Sequence, residues 1–134
     1  MNYWLVKTEP DTYSWNDLVR EKAGTWDGIR NFQARNNLQA MKKADQVFIY
    51  HTGNERAITG IATVTMPAFP EPGAEDWSAV KLAPVRQLHR PVTLTEIKTD
   101  PLLSGMSLVR LGRLSVHPLT RAEFDRIVER STGS

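Results

Sequence analysis

The stretch DQVFIYH, residues 45–51, constrains the fold of this chain more than any other. Val47, Phe48, Ile49 and Tyr50 follow one another without a polar break, so the run has no wet face. A half-buried strand would alternate apolar with polar, and an amphipathic helix would show a 3.6-residue stripe. This run does neither. It reads as a strand buried on both faces, which obliges the rest of the chain to cover two sides of one sheet. After the turn TGNER comes AITGIATVTM (57–66), rich in β-branched residues and so a second strand. Gly60 inside it marks a bulge or a close approach of another group to the backbone.

Other segments fall around this pair. YWLVK (3–7) reads as a first strand that stops at Glu9-Pro10, and SAVKLAPVRQL (78–88) and RLSVHPL (113–119) as later ones. Ser14 with Asp17, Thr93 with Glu96 and Thr120 with Glu123 are capping-box signatures for helix starts. NFQARNNLQAM (31–41) carries Phe32, Leu38 and Met41 at helical spacings, and Phe124, Ile127 and Val128 form a second stripe. PAFPEPGAEDW (67–77), with its prolines and glycine, reads as a loop of functional length. The sum is one α+β domain over 1–134, with about five or six strands and several short helices. Such frequent interruption favours a closed or half-closed barrel.

Composition narrows the chemistry. With 134 residues the chain suits a single core. It has no cysteine, which excludes disulfides, thiolate metal sites and cysteine nucleophiles and fits a cytoplasmic location. No run reaches the roughly 20 apolar residues of a membrane span, and MNYWLVKTEP lacks the pattern of a signal peptide. His51, His89 and His117 show no metal-ligand spacing, so neither metal nor other cofactor is expected. Glycine-rich phosphate loops and the G-x-S-x-G elbow are absent. Glu71, Glu75 and Asp76 read as surface charge. A net charge of +2 permits a nucleic-acid partner without arguing for one. The expectation is a monomeric binding domain rather than an enzyme.

The segment TWDGIRNFQARNNLQAM (25–41) is where a ligand would be read. Of the four tryptophans, Trp4 and Trp15 lie in core-like sequence. Trp26 and Trp77 sit in turn or loop sequence beside charges, where two opposed rings would sandwich a flat ligand. Stacking of that kind contributes roughly 1–3 kcal/mol per base. Asn31 and Gln33 can meet a base edge, unless Asn31 simply caps the helix after it. Arg30 and Arg35 can hold phosphate or stack. Lys42 and Lys43 either continue this basic segment toward phosphate or form a solvated helix end.

Taken together, YWLVKTEP, WDGIRNFQARN, VFIYH, GIATV and RPVTLTEIK resemble the EVE domain family over essentially the whole chain. The resemblance implies a PUA-like fold, a curved barrel-like sheet with helices packed around it. It also implies kinship with YTH domains, which read methylated adenine in RNA, and binding of modified bases, notably modified cytosines, in DNA or RNA. On the YTH pattern, Lys7 and Thr8, with Glu9 next, match a Lys-Ser pair that closes the first strand beside the pocket. Trp26 matches a cage tryptophan, and Trp77 a further cage aromatic, with Phe69 or Tyr50 as substitutes. His51 at its strand end joins this set. Trp26, Lys7, Thr8 and the 45–52 strand end are thus expected to border one pocket, with Trp26 outside the core. Two rivals remain: a small enzyme acting on a modified nucleotide through His51, Glu9 or Asp11, and a protein-docking module built on Trp77.

Overall fold

The computed structural model describes residues 1–133 and is built around one six-stranded sheet. Strand β1 (Tyr3–Thr8) runs parallel to β3 (Gln46–His51), register Tyr3 opposite Gln46 to Thr8 opposite His51. β4 (Ala57–Glu71) is antiparallel to β3, and β5 (Ala74–Thr93) is antiparallel to β4. Two short strands close the ends: β2 (Gly24–Trp26) on β5, and β6 (Val116–Leu119) on β1. The order is β2-β5-β4-β3-β1-β6, an α+β half-barrel whose end strands do not pair with each other.

Both faces of the sheet are covered, as the unbroken run at 47–50 requires. On β1, Trp4 and Val6 point to one side and Leu5 to the other; on β3, Val47 and Ile49 oppose Phe48 and Tyr50. The first face packs against helices α1 (Trp15–Glu21) and α2 (Phe32–Ala40) through Trp15, Leu18, Ala34 and Leu38. The second packs against α3 (Leu94–Thr99), α4 (Ser107–Arg110) and α5 (Arg121–Ser131) through Ile97, Leu108, Phe124 and Ile127. Ser14 and Thr120 make full capping boxes with Asp17 and Glu123, and Thr93 accepts from the Glu96 amide. The sequence signals for those helix starts hold.

Gly60 does both things its position suggested. The β4–β5 register slips between Ile58 and Gly60, so Ile58 and Ile61 face the same core although three positions separate them. A Cβ on Gly60 would also fall 2.6 Å from the Trp15 ring, which lies flat against the strand there.

The segment 67–77 is not a loop. β4 and β5 continue through it as a long hairpin that turns at Pro72-Gly73, with Gly73 at φ +81°. Beyond Val64, whose amide and carbonyl still bond Asp45 and Ala44, β4 pairs only with β5, so one of its edges is free there. An edge strand can hold Pro67 and Pro70, which a central strand could not. Repeated register shifts along the hairpin bend it around the first helical face.

Candidate functional site

Where β1 ends, a cleft of about 310 Å³ opens between the turn leading to α1 and the end of β2. Lys7, Thr8 and Glu9 form one wall, Thr12 and Tyr13 a second, and Thr25, Trp26, Asp27 and Ile29 a third. The volume lies at the lower end of small-ligand pockets. The β1 turn is tightly made: Thr8 Oγ1 donates to the Tyr13 carbonyl at 2.6 Å, and the Glu9 carbonyl accepts from the Thr12 and Tyr13 amides at 3.0 and 2.8 Å. Glu9 Oε1 accepts from Thr52 Oγ1 at 3.1 Å, which ties this wall to the end of β3.

The aromatic part is a corner rather than a sandwich. Tyr13 meets Trp26 edge-on, with ring centroids 5.6 Å apart and planes at 86°. The Tyr13 hydroxyl donates to Glu21 at 3.0 Å; burial, then that neighbouring carboxylate, pushes its pKa up to about 12, so it stays protonated. Lys7 spans the edge of the cleft. Its ammonium donates to the Gly112 carbonyl at 2.6 Å and lies 5.8 Å from the Tyr50 ring centroid, and burial holds its pKa below the ordinary lysine value.

Trp26 thus borders the same cleft as Lys7, Thr8 and Glu9 but does not stand outside the core as its turn-like sequence suggested. It sits in β2, opposite Val80, and is only 7% exposed. One side of the ring packs in the first core while the remainder closes the cleft. Asp27 and Gly28, expected to form a turn, lie instead in irregular backbone after β2, with Gly28 in the left-handed region at φ +72°.

Trp77 and Phe69 do not complete the cleft. Trp77 stacks on Phe32 with centroids 5.2 Å apart, and the Arg30 and Arg35 guanidiniums lie 5.3 and 5.5 Å from its ring centre. Arg35 also donates through one terminal nitrogen to the Asp76 carbonyl at 3.0 Å, which ties it to the hairpin. Glu71, read from sequence as surface charge, is buried and accepts from Arg30 and from the Gly28 amide. These contacts clamp the hairpin tip onto residues 27–35. Phe69 lies half-buried on β4 opposite Ala79.

Tyr50 and His51 part from the cleft for different reasons. Tyr50 projects to the opposite face of the sheet, into the second core. His51 turns inward: Nε2 accepts from the Trp15 amide at 3.0 Å, which places the proton on Nδ1, facing Glu55 at 2.9 Å. With both nitrogens engaged it is a helix brace, and the acid–base role of the enzyme alternative has no histidine at the cleft. Asn31 is the N-cap of α2, accepting from the Ala34 amide at 2.9 Å. Gln33 is exposed beside residues 110–114. Lys42 and Lys43 are exposed just before β3, the end of the sheet remote from the cleft.

Thr12 and Tyr13 carried no sequence signal, and Thr25, Asp27 and Ile29 were marked only by belonging to the 25–41 segment. Thr12 and Tyr13 lie in the turn and bend between β1 and α1, where no periodicity marks a wall residue. Among the described residues there is no group of carboxylate, histidine and cysteine side chains able to hold a metal ion. No helix of the described residues is long and apolar enough to cross a membrane.

Comparison with known proteins places this geometry. The EVE domain profile matches residues 2–130. Thymocyte nuclear protein 1 of Mus musculus is 36% identical over 164 residues, covering 95% of this chain and 72% of the relative. The crystal structure of a protein from Agrobacterium tumefaciens superposes with a TM-score of 0.94 at 38% identity, covering 98% of this chain and 93% of that one. Human THYN1 protein, solved in complex with 5-methylcytosine containing DNA, superposes with a TM-score of 0.92 at 30% identity, covering 100% of this chain and 99% of that one. With the motifs of its first strand, its second strand and its α2 cap all in the positions just described, the chain belongs to the EVE domain family.

Proposed function

We propose that this domain binds DNA by taking a modified nucleobase, a 5-methylcytosine first of all, into the cleft between Lys7–Glu9 and Trp26. The observation that carries it is the cleft itself: an aromatic corner of Tyr13 and Trp26 facing a polar wall, of a size that suits one flat heterocycle. The relative solved with 5-methylcytosine containing DNA supports that choice of ligand. The domain is a binding module rather than an enzyme.

The chemistry of the walls is consistent with a cytosine edge. An exocyclic amine needs an acceptor, and Glu9 and Asp27 are exposed carboxylates on the cleft. A carbonyl needs a donor, and the Lys7 ammonium has three hydrogens, of which the Gly112 carbonyl takes one. The faces of the base would lie against Trp26 and Ile29. A methyl group moved from water into that corner gains about 0.8 kcal/mol, roughly fourfold in affinity. Preference for the modified base over cytosine is therefore modest, a few fold, while the amine contact, which both cytosines make, rejects thymine and uracil edges.

The test is a titration of three strands that differ at one base: 5-methylcytosine, cytosine and thymine. The expected order is 5-methylcytosine, then cytosine by a few fold, then thymine, which lacks the amine. Equal affinity for all three would mean that only the backbone is bound and that the cleft stays empty.

A further inference from the structure

Beside the cleft the surface changes character. A depression of about 270 Å³ shares Lys7 with the cleft, and another of about 350 Å³ shares Gly112 with that depression. The cleft carries Glu9 and Asp27, whereas these two carry Lys7, Arg56, Arg110 and Arg113 and no carboxylate. None of those four cations lies within ion-pair distance of an acid among the described residues. In a chain with 15 acids and 17 lysines and arginines, that is a local excess of one sign at one place. It suits a polyanion.

The two depressions share one residue of the turn RLGR, 110–113. Arg110 ends α4 and donates from Nε to the Gly105 carbonyl at 2.8 Å, which leaves its two terminal nitrogens for a ligand; Leu111 is 38% exposed; the Gly112 carbonyl holds Lys7. The turn is stiff. The Leu111 amide donates to the Ser107 carbonyl at 2.8 Å, and the Leu114 amide to the Leu111 carbonyl at 3.0 Å. Beneath it His117, fully buried, accepts from Ser107 Oγ at 2.7 Å and donates to the Leu114 carbonyl at 2.7 Å. One imidazole thereby ties the start of α4 to the residue just past the turn. A lone exposed leucine is ordinary. A leucine between two arginines that make no ion pair, on a braced turn that touches the cleft lysine, is a specific arrangement.

A base inside a duplex cannot reach a cleft without leaving the stack, which costs a few kcal/mol. Proteins that open duplexes offset this by inserting an apolar side chain into the step while cations hold the flanking phosphates. We propose that the 110–113 turn is the duplex-opening element: Leu111 enters the space left by the extruded base, and Arg110, Arg113 and Arg56 hold the backbone around it. This rests on the base-binding reading of the cleft and adds the step by which a paired base gets there.

The experiment titrates the native chain, Leu111→Ala, Leu111→Gln and Trp26→Leu with one 5-methylcytosine strand, single and annealed to its complement. With the strand alone no stack has to be broken, so both Leu111 variants should bind it as the native chain does. With the duplex they should bind about tenfold or more weaker, and 2-aminopurine beside the target should brighten with the native chain only. Arg110→Ala and Arg113→Ala should each lower the salt slope by about one unit on the duplex. Leu111 variants that match the native chain on both forms overturn the proposal. So does an equal loss on both forms, which would make Leu111 part of a general contact surface. A Trp26→Leu variant that binds both forms undiminished points elsewhere: the base then does not occupy the cleft, and it is the underlying reading that fails. Leu111 is on the surface, and matched unfolding midpoints verify that its variants are folded.

Discussion

Glu71 accepts two hydrogen bonds from the Arg30 guanidinium, at 3.1 and 2.7 Å, although the residues stand 41 positions apart. A third, from the Gly28 amide at 2.7 Å, reaches the same carboxylate. One buried acid at a hairpin tip thus fixes the loop that carries Asp27 and Ile29 into the cleft. The loop takes a left-handed backbone conformation at Gly28, but nothing local sets where that residue sits; the contact with β4 does.

Removing that acid should loosen the third wall of the cleft without touching the core. Glu71→Ala is expected to lower affinity for a 5-methylcytosine strand and to raise hydrogen exchange at residues 27–31. The unfolding midpoint should move less than the affinity. Arg30, and then the Gly28 amide, hold the Glu71 carboxyl below the ordinary glutamate range. Because the folded pKa is depressed, the clamp's stabilisation is present above about pH 4.3, the unfolded value, and fades as pH falls below it. Unfolding midpoints of the native chain that fall no more steeply than those of Glu71→Ala as the pH is taken below about 4.3 would sink this account.

Trp26→Ala should fail twice. The ring is part of the first core, so truncation is expected to cost about 3–5 kcal/mol of stability. It also removes a cleft wall, for which roughly 1–3 kcal/mol of stacking is at stake. Trp26→Leu keeps apolar volume and separates the two effects. Its melting temperature should fall less than that of the alanine variant while binding of the modified strand remains weakened by about fivefold or more.

Gly60→Ala should destabilise the fold by about 1–3 kcal/mol, because the new methyl meets the Trp15 ring at 2.6 Å and neither strand nor helix can retreat. Denaturant unfolding measures it. Affinity per folded molecule should stay the same, since neither residue borders the cleft.

His117 sets a pH dependence. Burial, and then the charge of Lys7, lowers its pKa to about 4 from an ordinary 6.5. The unfolded chain therefore binds a proton that the folded one refuses. Stability is full above pH 6.5 and declines toward pH 4, by at most about 1.4 kcal/mol per pH unit from this residue. Denaturant titrations between pH 7 and 5 should show the decline, and His117→Gln should flatten it. A native profile that is flat over that window would mean that the imidazole is charged in the fold.

Lys42→Ala/Lys43→Ala should change neither affinity nor its salt dependence. These lysines precede β3, while the cleft lies past the end of β1, and five residues of strand separate the two ends by roughly 17 Å. A reduced salt slope would mean that nucleic acid runs the full length of the sheet.

The sequence by itself determined the elements whose signals are local. The unbroken apolar run at 47–50 reads as a strand covered on both sides, and Ser14, Thr93 and Thr120 can cap because an oxygen three residues before an amide is set by chain geometry alone. Gly60 announced a close approach without naming Trp15 as what approaches. The motif WDGIRNFQARN was legible as a family signature and as the neighbourhood of a site. Only the tertiary structure decided how its residues divide: Trp26 to the cleft wall, Asn31 to a helix cap, Arg30 and Arg35 to a clamp on Trp77 and Glu71. It also turned 67–77 from a loop into a hairpin, because whether a proline is tolerated in a strand depends on the missing neighbour, which sequence does not display. The corner of Tyr13 and Trp26, the inward turn of His51 and the cations of the 110–113 turn were illegible for the same reason. Each depends on contacts made across the sheet, and a contact between residues far apart in the chain leaves no periodic trace in either one.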